Sequence, residues 1–255
     1  MQIGRFLLND DRILAAVRFV DAVSGLPVRD AVDVSGARTS RNRSGFTVIH
    51  APSVVTPELE HYFARFRAEA DADEPAPASI PLTLTAQPSG GRYLPRQFTL
   101  ALPLQEADRE QPDFLFEPMQ VTLYPSPSYP LEPQWAVLRV NVVEQATDPP
   151  VPLAGVLVTA LTQPAAPNPN TVLGRGMSDR RGETLVIVPG LRPATFTDPE
   201  FTVNLDARRD NTNPAIPNPH RLINAVGDEE WFENAQLNDI VIAPGRRTVG
   251  QISMG

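Results

Sequence analysis

Apolar residues in this chain either alternate with polar ones or gather in short β-branched runs, and Gly and Pro interrupt them too often for long helices. The run Ile13 to Val20 stops at Ser24-Gly25-Leu26-Pro27, where Gly and Pro supply turn geometry. Val28 to Val34 follows, then a polar, Arg-rich connection, then Gly45-Phe46-Thr47-Val48-Ile49 leading to Pro52. Leu82, Leu84 and Ala86 alternate with threonines, and further strands are expected at Phe98 to Leu102 and Met119 to Tyr124. Beyond a Pro-rich run, strands are predicted at Trp135 to Val143, Pro152 to Leu161, Gly182 to Pro189, Phe201 to Leu205, Ile240 to Ala243 and Thr248 to Ser253. Asp228 to Ala235 reads as a short helical turn.

The two halves repeat one another. PLAGVLVTAL and SDRRGETLVIVPG in the second echo the Asp21 to Pro52 stretch of the first, and Gly182 to Pro189 matches Gly45 to Pro52 without a gap. That echo arbitrates an ambiguous segment. Leu59, Tyr62, Phe63 and Phe66 fall at helical spacing behind Thr56-Pro57, yet Tyr62 to Ala70 also alternates and aligns with the strand at Phe201, so a strand is expected there. About seven short strands per copy, with turn signals between them, predict an all-β protein of two tandem antiparallel β-sandwiches joined by a Pro-rich linker. The expected boundaries are a lead-in over 1–11, a first sandwich over 12–124, a stiff linker over 125–134 and a second sandwich over 135–255.

Asp21, Gly25, Pro27, Val28, Asp30, Ala31, Gly45 and Phe46 in the first copy carry a pattern that resembles the carboxypeptidase regulatory-like, transthyretin-like (Ig-like) domains. In the second copy the same pattern falls on Pro152, Leu153, Gly155, Val156, Asp179, Gly182 and Leu185. Asp179 keeps the acidic residue frequent before the Gly of that family, whereas the first copy has Asn42, and Glu183 stands where the first copy has Phe46. The resemblance implies an accessory, non-catalytic module, and fold alone does not fix function.

Composition narrows the chemistry. The formal charge is −8 and all 22 basic residues are Arg, a balance that argues against nucleic acid as a partner. Without Cys there is neither a disulfide framework nor a thiolate metal site. No signal-peptide core and no apolar run of about 20 residues is present, so a cytoplasmic location without membrane insertion is expected. His50, His61 and His220 lack zinc-ligand spacing, and no Gly-x-Ser-x-Gly elbow occurs. Neither an enzyme nor a cofactor is expected. Asp71, Asp73 and Glu74, and the Asp210-Asn211-Thr212-Asn213 segment, are oxygen-rich enough to consider for calcium, with solvated turns as the plainer reading.

The functional expectation is a structural or adaptor component of a larger, cytoplasmically assembled protein complex, of the phage-tail-like or contractile injection kind. Its candidate protein-contact residues are Phe6, Leu7 and Leu8 in the lead-in, and Trp231 with Phe232. The alternative is a carbohydrate-binding or adhesive module, for which Trp231, Phe232 and Tyr93 are the available aromatic platform. Because the copies share Pro, Gly and aliphatic positions but not His50 or Ser44, any specific function is expected where they differ.

Overall fold

A computed structural model describes residues 13–57, 59, 80–102, 118–145, 148–162, 171–190, 200–212, 214–225 and 231–255. The architecture is all-β, and the described residues form four sheets and a short helix at Pro219–Asn224. Contacts gather the described residues into two compact units. One takes those of 1–18, 34–84 and 99–121, and the other those of 19–33, 85–98 and 122–255.

The opening strand β1 (Ala15–Asp21), with β2 (Val32–Ser35), β3 (Ala37–Arg41), β4 (Thr47–Pro52), β5 (Ile80–Pro88), β6 (Arg96–Leu102) and β7 (Met119–Leu123), forms sheets of order β3-β4-β1-β7 and β2-β5-β6. In the second half, β8 (Ala136–Glu144), β9 (Val151–Pro152), β12 (Glu183–Val188) and β15 (Arg247–Met254) build a sheet of order β12-β8-β15, with β9 on β8. The strands β10 (Leu157–Thr162), β11 (Val172–Met177), β13 (Phe201–Asp210) and β14 (Phe232–Ile242) make the order β11-β10-β13-β14. The orders β4-β1-β7 and β12-β8-β15 correspond: in each, an opening strand lies between the Gly-led strand and the closing strand. β15 runs parallel to β8, in contrast to the antiparallel β12 on its other side.

Alternation accounts for the cores. Along β1 the burial pattern puts Ala15 and Val17 inside, and the first unit buries them with Ile49, Leu82, Leu84, Leu100, Leu102 and Val121. In the second unit Leu138, Val140 and Val142 of β8, Val186 and Val188 of β12, and Ile252 and Met254 of β15 share one cluster with Val158, Val203, Leu205 and Ile242 of the facing sheet. Burying each such side chain contributes about 1.5–3 kcal/mol, so this cluster is the main source of stability in that unit.

Several expectations change. The Arg-rich connection contains a strand, β3, hydrogen-bonded to β4, because polar side chains on an edge strand leave no apolar alternation to read. β11, also unexpected, pairs with β10. There Gly174 and Gly176 lie so close to the Ile187 and Leu185 carbonyls that no Cβ would fit. Phe232 to Ala235 belongs to β14 instead of a helical turn, and the helix, α1 (Pro219–Asn224), sits in the Pro/Asn stretch before it. Leu59 takes helical geometry with its amide donating to Thr56 Oγ1 at 3.3 Å; the strand expected over Tyr62 to Ala70 lies outside the described residues.

The Pro125 to Gln134 stretch, expected as a stiff linker, is packed at its start. Ser126 and Tyr129 are buried, Pro125 bridges to Tyr93, and the Ser126 amide donates to the Arg92 carbonyl at 2.8 Å. Ser126 and Ser128 hydroxyls both donate to the Gly91 carbonyl, at 2.6 and 3.0 Å, and Arg139 Nη2 donates to Pro127 O at 3.2 Å. No helix among the described residues is long and apolar enough to cross a membrane.

Candidate functional site

Of the candidate contact residues, Phe6, Leu7 and Leu8 lie outside the described residues. Trp231 and Phe232 are half-buried and pack together, ring centroids 5.4 Å apart, on a small cluster of Tyr124, Leu157, Met177 and Leu222. What positions them is α1. Pro219 starts the helix, where its missing N–H costs nothing. At the other end Arg208 Nη1 donates to the Leu222 and Ala225 carbonyls, both at 3.2 Å, while its Nε pairs with Asp206 at 2.8 Å. Cations favour helix C-termini, so Arg208 both caps α1 and ties it to β13.

Arg221 covers one face of Trp231, its guanidinium carbon 4.6 Å from the ring centroid, and reaches Asp210 at 3.2 Å. Asp210 is itself buried and accepts from the amide and hydroxyl of Thr212, at 2.9 and 2.6 Å. The carboxylate considered for calcium therefore holds a turn and an arginine. Asp71, Asp73 and Glu74 lie outside the described residues. Leu222, 1% exposed, is the helix's apolar anchor. Leu222→Ala is expected to lower stability by about 2 kcal/mol, the low end for a buried leucine because its cluster is small. A denaturant titration with unchanged midpoint would show that α1 is not anchored this way.

A second polar centre lies at Asp21. Its Oδ2 accepts from the Tyr93 hydroxyl at 2.9 Å and the Tyr129 hydroxyl at 2.5 Å, and its Oδ1 from the Val23 and Ser24 amides at 2.6 and 3.4 Å. Tyr129 also stacks with Trp135, centroids 6.5 Å apart, and meets Tyr93 edge-on at 5.7 Å. Burial first, and then the hydrogen bond to Asp21, push the Tyr93 hydroxyl up from 10.0 to about 12; the same causes push Tyr129 higher still. Tyr93, considered above as an exposed platform, is 7% exposed with its hydroxyl committed, which removes it from that role.

Arg96 is a third. It is 2% exposed, donates from Nε to Gln97 O at 3.1 Å and from Nη1 to Thr122 O at 2.6 Å, and lies 5.9 Å from the Tyr124 ring centroid. Its Nη2 is buried without a hydrogen-bond partner among the described residues. Desolvation holds the guanidinium below its usual value, and burial followed by repulsion from Arg96 holds the His220 imidazole below its own.

Among catalytic pairings the described residues bring together Ser40 and His50, with Oγ 2.7 Å from Nε2 across the β3–β4 hairpin. His50 Nδ1 is buried and has no hydrogen-bond partner among the described residues, so none of these orients the imidazole as a Ser-His-Asp arrangement requires. His61 lies outside the described residues. Among those residues no three His, Cys, Asp or Glu side chains are grouped to hold a metal.

The sequence matches no protein-family model, and no curated protein matches it. Among solved structures, a 9R-lipoxygenase from Cyanothece PCC8801 aligns over 47% of this chain and 16% of its own, at 13% identity and a TM-score of 0.27. A streptococcal ancillary pilin aligns over 94% of this chain and 68% of its own, at 10% identity and a TM-score of 0.23. Overlaps this loose carry no argument about the chain's activity.

Proposed function

We propose that the chain is a non-enzymatic structural or adaptor component of a larger protein complex, built of two tandem Ig-like, transthyretin-like sandwiches and assembled in the cytoplasm as phage-tail-like particles are. One observation carries this reading. The buried carboxylates among the described residues, Asp21, Asp206 and Asp210, are each bound to structural partners: turn amides, tyrosine hydroxyls and arginines. Carboxylates held by such bonds stabilise a scaffold, whereas a general acid or base has to face a substrate.

The repeated order of the opening, Gly-led and closing strands adds to it. A duplicated frame whose exposed residues differ between copies offers two unlike surfaces on one support. The carbohydrate alternative gains no observation, since Arg221 covers one face of Trp231 and Tyr93 is buried.

The test is gentle purification of the native protein from its own source, followed by size measurement and negative-stain imaging. The expected result is incorporation into a large particle of regular form with defined stoichiometry. A protein that elutes only as a free monomer at all concentrations would overturn the reading.

A further inference from the structure

The two copies build the same turn and charge it differently. In the first, the turn between β3 and β4 closes with the Asn42 amide donating to Phe46 O at 3.0 Å and the Gly45 amide to Asn42 O at 3.1 Å, while Asn42 Oδ1 accepts from the Phe46 amide at 2.9 Å. In the second, the Asp179 amide donates to Glu183 O at 3.0 Å, the Gly182 amide to Asp179 O at 3.0 Å, and Asp179 Oδ1 accepts from the Glu183 amide at 3.0 Å. In these three bonds the turns correspond, with Asn42 standing for Asp179 and Phe46 for Glu183, and in the second Asp179 Oδ1 also accepts from the Arg181 amide at 2.8 Å.

Charge separates them. The second turn is neutralised from within: Asp179 pairs with Arg181 at 3.5 Å, and Glu183 binds Arg139 of β8. In the first turn both acids are replaced by neutral residues. Arg18 of β1 stacks on Phe46 instead, 4.5 Å from the ring centroid, and neither Arg41 nor Arg43 has a carboxylate partner among the described residues. Residues 37–46 hold Arg38, Arg41 and Arg43 and no acid, in a chain whose net charge is −8. Arg38, Arg41 and Arg43 are all exposed, on a hairpin fixed by backbone bonds.

Among the described residues β3 is the end strand of its sheet, as β11 is of its own. An end strand presents backbone N–H and C=O groups that an extended segment can pair with. Guanidinium forks match carboxylates bidentately, which gives such pairing a side-chain preference as well. Nucleic acid fits less well, because its affinity comes from many phosphates neutralised at once and the acidic remainder of this chain opposes that.

We infer that the β3 edge and its turn, through Arg41 and Arg43, dock an extended acidic segment of a protein partner. The inference names the partner chemistry for the assembly reading above and rests on it.

The test uses the whole chain and a short alternating Glu-Thr peptide as probe, titrated by fluorescence anisotropy at low and at physiological salt. The wild type is expected to bind at low salt and more weakly at physiological salt, because exposed charge pairs are screened. Arg41→Gln combined with Arg43→Gln should weaken binding about tenfold, and Asn42→Asp about threefold, as removal or compensation of exposed charge pairs implies. Asn42→Asp is the sharper variant, since Asp179 shows that this turn accepts an aspartate, and its unfolding midpoint should match the wild type. Arg247→Gln removes one charge from an exposed position on β15 and should leave binding unchanged.

Absence of wild-type binding at low salt would overturn the inference. So would an equal loss with Arg247→Gln, or tighter binding to a single-stranded oligonucleotide than to the peptide. The assembly reading is separable: if the Arg41→Gln/Arg43→Gln chain enters the native particle as well as the wild type, the docking inference fails and the assembly reading stands. If no particle forms, the assembly reading fails while the peptide titration still reports on the turn.

Discussion

Asp21→Ala is expected to destabilise the second unit by about 4 kcal/mol, with the loss visible as a lower unfolding midpoint in denaturant. Hydrogen bonds to a charged group contribute about 1.5–3 kcal/mol each, and two buried hydroxyls lose their acceptor together. Tyr93 and Tyr129 come from positions 72 and 108 residues further along the chain, so the carboxylate ties the end of β1 to the loop before β6 and to the Pro-rich stretch. Tyr129→Phe should cost about half as much, since Asp21 keeps Tyr93 and its turn amides. Coupling between the two tyrosines is expected in a double-mutant cycle, because they share one oxygen and touch each other. An Asp21→Ala midpoint within error of the wild type would show that the centre is incidental.

The same centre sets an alkaline limit. Tyr93 is raised from 10.0 to about 12 and Tyr129 further, so between those values the folded state holds protons that the unfolded state has released. Their contribution is fully present below pH 10 and is lost as pH rises through about 12. Stability measured against pH should fall over that window in the wild type, and fall less steeply when both tyrosines are replaced by Phe. A parallel fall in the double variant would locate the alkaline limit elsewhere.

How much of this was legible depends on the kind of signal. Strands with one buried face announced themselves: Leu82, Leu84 and Ala86 of β5 alternate as the burial does. β3 and β11 did not, because Arg38-Thr39-Ser40-Arg41 and Gly174-Arg175-Gly176 carry no apolar face; their cue was the turn, Asn42 to Gly45 and Asp179 to Gly182, which requires a strand on each side. α1 hid in a Pro/Asn segment, although Asn218-Pro219 with Leu222 three residues on is a helix start followed by an anchor. Counting prolines in Pro125 to Gln134 suggested a stiff linker and overlooked Tyr129 and Ser126, whose hydroxyls need buried acceptors. The Asp21 centre had no local cue, since its partners are distant in sequence. The basic turn was visible only in part: the Arg residues and the Asn42/Asp179 difference could be read, but not that Asp179 and Glu183 are the groups that neutralise the other copy.

Gly182→Ala is expected to cost about 3–4 kcal/mol, and Gly45→Ala, at the matching position of the other copy, only about 1 kcal/mol. Both glycines take left-handed backbone, with φ of 75° and 81°, so both substitutions incur the same steric penalty of about 1–2 kcal/mol at most. The surroundings differ. Around Gly45 nothing among the described residues lies within 4 Å of where a Cβ would stand, whereas at Gly182 it would penetrate the Val142 carbonyl oxygen and press on Pro152 Cβ at 3.2 Å. That oxygen already accepts the Leu153 amide at 3.0 Å, and the Gly182 carbonyl accepts the Val142 amide at 2.9 Å. A shift large enough to admit a methyl group therefore breaks the bonds that hold the second turn against β8 and β9. The first turn, which stands clear, keeps its geometry and with it the arginines it displays. Denaturant midpoints of the two single variants measure the difference directly; equal losses would mean that the second turn is as free of its neighbours as the first.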